Sequence, residues 1–213
     1  MATSANTFMD TKTKILDVAE RHFAQFGFEG TSLRGIIKDA TVNVAAIAYH
    51  FGSKEDLYVA VIERFAVPVV EQQLSRLAMH RKSDSLQVSE ILNAFYEPPI
   101  KLIKDMGERG ETLSMFLGRC QTEPEPIFSL VDKNFSYCRE QFIDAFRQLL
   151  PSLSEADYHW GFEFMLGLIA CFLTRQKSIR ARYAERDDWD ADEIISRLTR
   201  FGEAGLLSLR NIN

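Results

Sequence analysis

Between Thr31 and Tyr58 the chain reads TSLRGIIKDATVNVAAIAYHFGSKEDLY, with small polar side chains where helix ends need them. Thr31 or Ser32 can cap a helix whose apolar residues Leu33, Ile36, Ile37 and Ala40 recur at helical spacing. Thr41-Val42-Asn43 makes a tight turn, and Asn43 is an N-cap for a second short helix, Val44 to His50. Ser53, with Asp56 three residues on, is a capping-box pattern for a third. Two short helices across such a turn are the arrangement that lays its second helix in a DNA major groove. The chemistry on offer is hydrogen bonding and charge pairing with phosphates and base edges.

Ser32 and Asn43 stand at helix N-termini, where free backbone N–H groups suit phosphates, although capping alone would account for both. Val44, Ala45, Ala46 and Ala48 keep the second helix slim enough to approach base edges and touch thymine methyls; small residues also simply favour helix. Tyr49 and His50 end that helix, and an exposed tyrosine there has little structural purpose. Lys54 opposes the dipole of the helix it begins, so its cation is better used on a phosphate. Arg34 is open to three readings: a base contact, a phosphate contact or a solvated charge. Net charge is −5, and residues 1–58 alone carry −1. Without a global basic footprint, DNA affinity must come from local placement and be salt-dependent.

Catalytic patterns are missing from the sequence. His22, His50, His80 and His159 are scattered, with no metal-ligand spacing, and no GxSxG, P-loop or GxGxxG occurs. No enzyme activity, metal or cofactor is expected. Cys120, Cys138 and Cys171 are odd in number and far apart, as in a reducing cytosol. Cys120 and Cys138 each adjoin an arginine and are the two candidates for redox sensing, whereas Cys171 in its apolar run reads as core. The polar first ten residues lack a signal-peptide core, and the apolar run from Phe162 to Leu173 is too short to span a bilayer. The expectation is a soluble, cytoplasmic protein without a membrane partner.

The elements that must position these residues are all helical. Residues 1–10 read as a disordered arm, 11–58 as the helix-turn-helix domain and 59–213 as a second helical domain. Helix one, about Thr11 to Phe26, places Ile15, Val18, Ala19, Phe23 and Phe26 on one face against Leu33, Ile36, Ile37, Ile47 and Phe51, with Gly27 as its C-cap. Pro68 is expected to bend or break the helix begun at Ser53, and Pro98-Pro99 to end one running from Ser85 to Tyr96. Further helices follow over 100–106, 111–121 and 127–150, then from Ser154 to Tyr183 and from Asp190 to Arg210. The Ser154–Tyr183 helix is apolar almost all round, so its second face is expected to meet another subunit in a homodimer built on the last two helices.

From Ile15 to Val61 the chain closely resembles the N-terminal domain of TetR-family transcriptional repressors, through ILDVAERHFAQFGFEGTSLRGIIKDA followed by V-N-x-A-A-I-x-Y-H-F-G-S-K-E-D-L. The resemblance implies an all-α fold, a three-helix DNA-binding domain followed by a helical ligand-binding and dimerisation domain. It implies that Arg34 can reach a guanine edge and that the Tyr49–His50 pair meets thymine methyls and phosphates. Thr41 departs from the pattern where glycine is usual in the turn, and Ala48 replaces a commonly larger residue; both bear on base preference. TEPEPIF and DMGERGETLSMF resemble, more loosely, a fatty-acid-responsive subgroup. An elongated apolar effector is then expected, held by Phe95, Leu102, Met106, Phe116, Leu117, Phe135 and Phe164, with Arg119 or His159 facing a carboxylate. The function implied is a homodimeric repressor released from an inverted-repeat operator by that effector. The alternative is a helical ligand-binding or scaffolding protein whose helix-turn-helix no longer binds DNA, which the −1 charge of residues 1–58 favours.

Overall fold

A computed structural model describes residues 2–82, 86–182 and 189–209. Among these are nine helices: α1 (Ala2–Gly30), α2 (Leu33–Ala40), α3 (Ala45–His50), α4 (Lys54–His80), α5 (Val88–Asp105), α6 (Glu108–Cys120), α7 (Ile127–Leu149), α8 (Glu155–Arg182) and α9 (Ala191–Ser208). The expected boundaries at Ser85, Tyr183 and Arg210 lie outside the described residues. Helix α1 begins at Ala2, so residues 2–10 are helical where a disordered arm was expected; no proline or glycine occurs before Gly27 to stop the helix. The chain forms two compact units, Met1–Ala66 with Glu111–Asn134, and Val67–Gly110 with Phe135–Asn213. This division is not the one at residue 58, because most of α6 and the start of α7 belong with the N-terminal unit.

In the first unit α1 packs on α2 and α3. Ile15, Ala19 and Phe23 are fully buried with Ile36 and Leu57, and Ile47 nearly so. Each of these Ile, Leu and Phe side chains contributes about 1.5–3 kcal/mol relative to exposure. Phe26, expected in this core, is 48% exposed. The backbone breaks at Gly27 (φ 72, ψ −178), which turns Phe28 inward instead. Phe28 and Phe23 then lie edge-on to the buried Tyr58 ring, with centroids 5.4 and 4.8 Å away. Thr41 ends α2 in the left-handed region (φ 54, ψ 46), the conformation that favours glycine. A β-branched residue is strained there. Thr41→Gly should therefore raise folding stability by roughly 1 kcal/mol, after glycine's extra chain entropy is set against the relieved strain. Urea melts check this, and an unchanged or lower midpoint would mean that the strain is absent.

In the second unit α5 and α8 both pack on α9. Thr199 Oγ1 donates to Asn93 Oδ1 at 2.8 Å, and a Cβ on Gly202 would already be in contact with Leu92. Phe95 sits edge-on to Phe142 and Phe162, 5.3 and 5.5 Å away. The prolines do not end their helices: α4 runs through Pro68, and α5 runs through Pro98 and Pro99. Burial explains this for α4, where Phe65, Ala66 and Val69 are in the core and outweigh a cost of about 3 kcal/mol. For α5 there is a specific compensation. Pro99 has no N–H to give the Phe95 carbonyl four residues back, and the buried Gln73 donates Nε2 to that oxygen at 2.7 Å. Cys138 in turn donates its S–H to Gln73 Oε1 (3.4 Å).

Candidate nucleic-acid interface

Local hydrogen bonds build the helix-turn-helix as its sequence requires. Ser32 Oγ accepts from the Gly35 N–H at 3.1 Å, and Asn43 Oδ1 accepts from the Ala45 N–H at 2.9 Å. Ser53 and Asp56 form the reciprocal box: Ser53 N–H and O–H donate to Asp56 Oδ2, and Asp56 N–H donates to Ser53 Oγ. These caps use the oxygens of Ser32 and Asn43 as acceptors, which leaves the Ser32 O–H and the Asn43 amide N–H groups as donors for phosphate oxygens.

Helix α3 is anchored by a single buried residue, Ile47. The residues the sequence assigned to DNA differ in exposure. Ser32, Arg34, Asn43 and Ala45 are exposed, Val44 is 74% and Tyr49 72% exposed, and Ala46 and His50 are half-buried. The Tyr49 and His50 rings meet edge-on at 5.3 Å. Lys38 is exposed one turn from Arg34 on α2, while the Asp39 carboxylate beside it lies 2.8 Å from His22 Nε2 on α1. Lys54 has a neighbour that its sequence position did not reveal: its Nζ lies 4.3 Å from the centroid of the Phe28 ring. The ammonium thus has a cation–π partner as well as access to solvent. Tyr49→Ala should accordingly weaken DNA binding with little change in melting temperature. Lys54→Ala should lower the salt slope by about one unit and also cost about 0.5–1 kcal/mol of stability. Binding titrations at several salt concentrations beside thermal melts check both, and a Tyr49 variant that melts early yet binds normally would contradict this placement.

The residues expected around an effector divide between the two compact units. Phe116 is fully buried in the first, 5.4 Å from Tyr58, with Leu117 half-buried beside it in α6. Phe95 is buried in the second, and Leu102, Met106 and Phe135 are half-buried there. Two of the expected residues are placed otherwise. Phe164 stands 59% exposed on α8, stacked on the equally outward Trp160 at 5.7 Å. Arg119 has its guanidinium committed to backbone, Nε donating to the Ala24 carbonyl at 2.7 Å and Nη2 to that of Gln25 at 2.9 Å. The cysteines also differ from expectation. Cys120 and Cys138 are buried, which pushes both thiols up to about 12 and leaves almost no thiolate at neutral pH, whereas Cys171 is exposed. No group of metal ligands occurs among the described residues, and none of the described helices is long and apolar enough to cross a membrane.

Comparison with known proteins agrees with this geometry in both halves of the chain. Residues 15–61 match the family model for bacterial regulatory proteins of the tetR family, and residues 93–205 match the model for the tetracyclin repressor-like C-terminal domain. The HTH-type transcriptional dual regulator CecR of Shigella flexneri is 32% identical over 126 residues, 56% of this chain and 55% of that protein. The chain thus spans about half the length of this relative. RutR of Escherichia coli strain K12, an HTH-type transcriptional regulator, is 45% identical over 53 residues, 25% of each chain. Among solved structures, FadR of Bacillus subtilis in complex with stearoyl-CoA superposes with a TM-score of 0.66 at 14% identity, covering 91% of this chain and 98% of that one. The fatty acid degradation regulator FadR of Bacillus halodurans gives 0.68 at 13% identity over 92% and 96%. At such identities the likeness is one of fold. With a slim helix presented outward across a capped turn and family matches over both 15–61 and 93–205, the chain belongs to the TetR family and is a DNA-binding transcriptional regulator, not an enzyme.

Proposed function

We propose that the protein is a cytoplasmic homodimeric repressor that leaves an inverted-repeat operator when an elongated apolar effector, a fatty acid or its acyl thioester, binds the second domain. The observation that carries the DNA half is the outward face of α3, with Val44 and Tyr49 each nearly three-quarters exposed while Ile47 alone anchors the helix. Bulky apolar side chains left in water on a short helix favour a partner with thymine methyls in its groove. Around this helix Ser32, Arg34, Asn43, Ala45, Ala46, His50 and Lys54 supply phosphate and base contacts. The dimer is supported by Trp160, Phe164 and Phe201, exposed on α8 and α9, beside Gly167 and Gly205, which have open space above them. The effector reading rests on the apolar Phe95, Leu102, Met106 and Phe135 of the second unit, and on the fold shared with a regulator solved with stearoyl-CoA.

Selection from a random duplex library should recover an inverted repeat whose half-sites lie ~34–36 Å apart, as a two-fold dimer demands. Recovery of no duplex, or of a single asymmetric half-site, would count against the dimeric reading. A panel of fatty acids and acyl thioesters should contain one that raises the melting temperature and lowers affinity for the selected duplex together. At a hundredfold excess over Kd the stabilisation is about 2.7 kcal/mol. A compound that stabilises the protein while leaving duplex affinity intact would separate binding from regulation and defeat the proposed mechanism.

A further inference from the structure

Where α1 breaks at Gly27, two charged side chains, Arg119 in the last turn of α6 and Glu123 in the α6–α7 link, take up the hydrogen-bonding groups that the helix releases. In an unbroken helix the Phe28 N–H would donate to the Ala24 carbonyl. The backbone of Gly27 (φ 72, ψ −178) turns that N–H away. It donates instead to Glu123 Oε1 at 2.9 Å, while the Ala24 carbonyl accepts from Arg119 Nε at 2.7 Å and the Gln25 carbonyl from Arg119 Nη2 at 2.9 Å. The two side chains close round the break so tightly that a Cβ on Gly27 would stand 3.3 Å from Glu123 Oε1 and 3.4 Å from Arg119 Nη1. Cys120, between them, lies 3.4 Å from the Tyr58 hydroxyl, and the Tyr58 ring packs on Phe23 and Phe28 on either side of the break. The joint leads straight to the DNA-contacting pair. Thr31 Oγ1 donates to the Gly27 carbonyl at 2.7 Å, and the next residue, Ser32, caps α2.

We propose that Arg119 and Glu123 are positioning residues for DNA binding: by replacing one broken helix hydrogen bond with two charged partners, they set the angle at which α1 delivers α2 and α3. The inference rests on the assignment of α2 and α3 as the DNA-contacting pair. It also gives Arg119 a role other than facing an effector carboxylate.

The test uses the full chain and a duplex selected by the wild-type protein from a random library. Arg119→Ala and Glu123→Ala should each lower affinity for that duplex by about tenfold, the worth of one charge-assisted hydrogen bond. The double variant should be little worse than either single one, because both hold one joint. The slope of log affinity against log salt should stay at the wild-type value, since no phosphate contact is removed. Exchange of the Phe28 amide should accelerate in Glu123→Ala and recover in Glu123→Gln, which keeps an acceptor. If the alanine variants fail to fold, Arg119→Lys and Glu123→Gln carry the same comparison with smaller losses. Variants that lose Phe28 protection yet hold the duplex as tightly as wild type overturn the proposal. So does a salt slope reduced by about one in the Arg119 variant, which would make it a direct phosphate contact. A wild-type protein that selects no duplex overturns the DNA-contact assignment itself, an outcome distinct from either.

Discussion

Phe164→Glu should abolish the proposed homodimer and leave a folded monomer. Phe164 is 59% exposed on α8, stacked on Trp160, with Gly167 less than one turn further along and Phe201 70% exposed on α9. In a lone protomer a glutamate at position 164 would sit in water and cost little. Across a two-fold axis it would meet its own copy or an apolar wall, an unpaired buried carboxylate that weakens association by at least about a hundredfold. Because each subunit carries one reading helix, losing the dimer should also cost ~10²–10⁴ in affinity for an inverted repeat. Sedimentation at micromolar concentration and a melting curve together test this. The contrast is Phe172→Glu. Phe172 is only 9% exposed, lies edge-on to Trp189 at 5.5 Å and belongs to the protomer's own core, so that variant should unfold the chain. A wild-type protein that is monomeric at micromolar concentration, or a Phe164→Glu variant that still dimerises, would remove α8 from the interface.

The second large effect is expected at Gly110. This residue is buried in the first turn of α6, and a Cβ added there would lie 1.9 Å from the Ile103 carbonyl oxygen and 2.8 Å from its carbon. The obstacle is backbone within α5, so no side-chain rotation relieves it, and the α5–α6 approach has to open. Gly110→Ala should therefore destabilise the protein by about 3 kcal/mol, near the upper end for overpacking. In a chain of this size the melting temperature should fall by roughly 6–12 °C. The denaturant midpoint should drop with an unchanged slope, and a variant as stable as wild type would show that the two helices do not approach this closely.

How much of this was legible in the sequence depends on the reach of each interaction. The caps at Ser32, Asn43, Ser53–Asp56 and Asp190 join residues two or three apart, and all are found where the spacing places them. Thr41 and Gly27 likewise take the positive φ expected of helix ends. The reading of Pro98-Pro99 as a helix end failed for the opposite reason. A proline removes a local hydrogen bond, but the group that compensates Pro99 is Gln73, 26 residues earlier and on another helix. Lys54 was correctly placed at a helix start, yet its partner Phe28 stands 26 residues earlier, on another helix.

The sequence by itself determined the class of the protein and the helix-turn-helix that marks it, because a helix-turn-helix is written in caps and 3.6-residue periodicity that each segment carries within itself. It also determined that α8 has more apolar surface than one protomer core needs, with Phe162, Met165 and Phe172 buried while Trp160 and Phe164 are not. Which of those side chains face inward was decided only by tertiary structure, since an all-round apolar helix has no periodicity to orient it. The same holds for Arg119. Its charge and place in α6 fitted a ligand carboxylate as well as anything else, until folding brought to it two helix-end carbonyls more than ninety residues away. Those carbonyls became acceptors only because the backbone broke at Gly27, and a donor is held where an unsatisfied acceptor already waits.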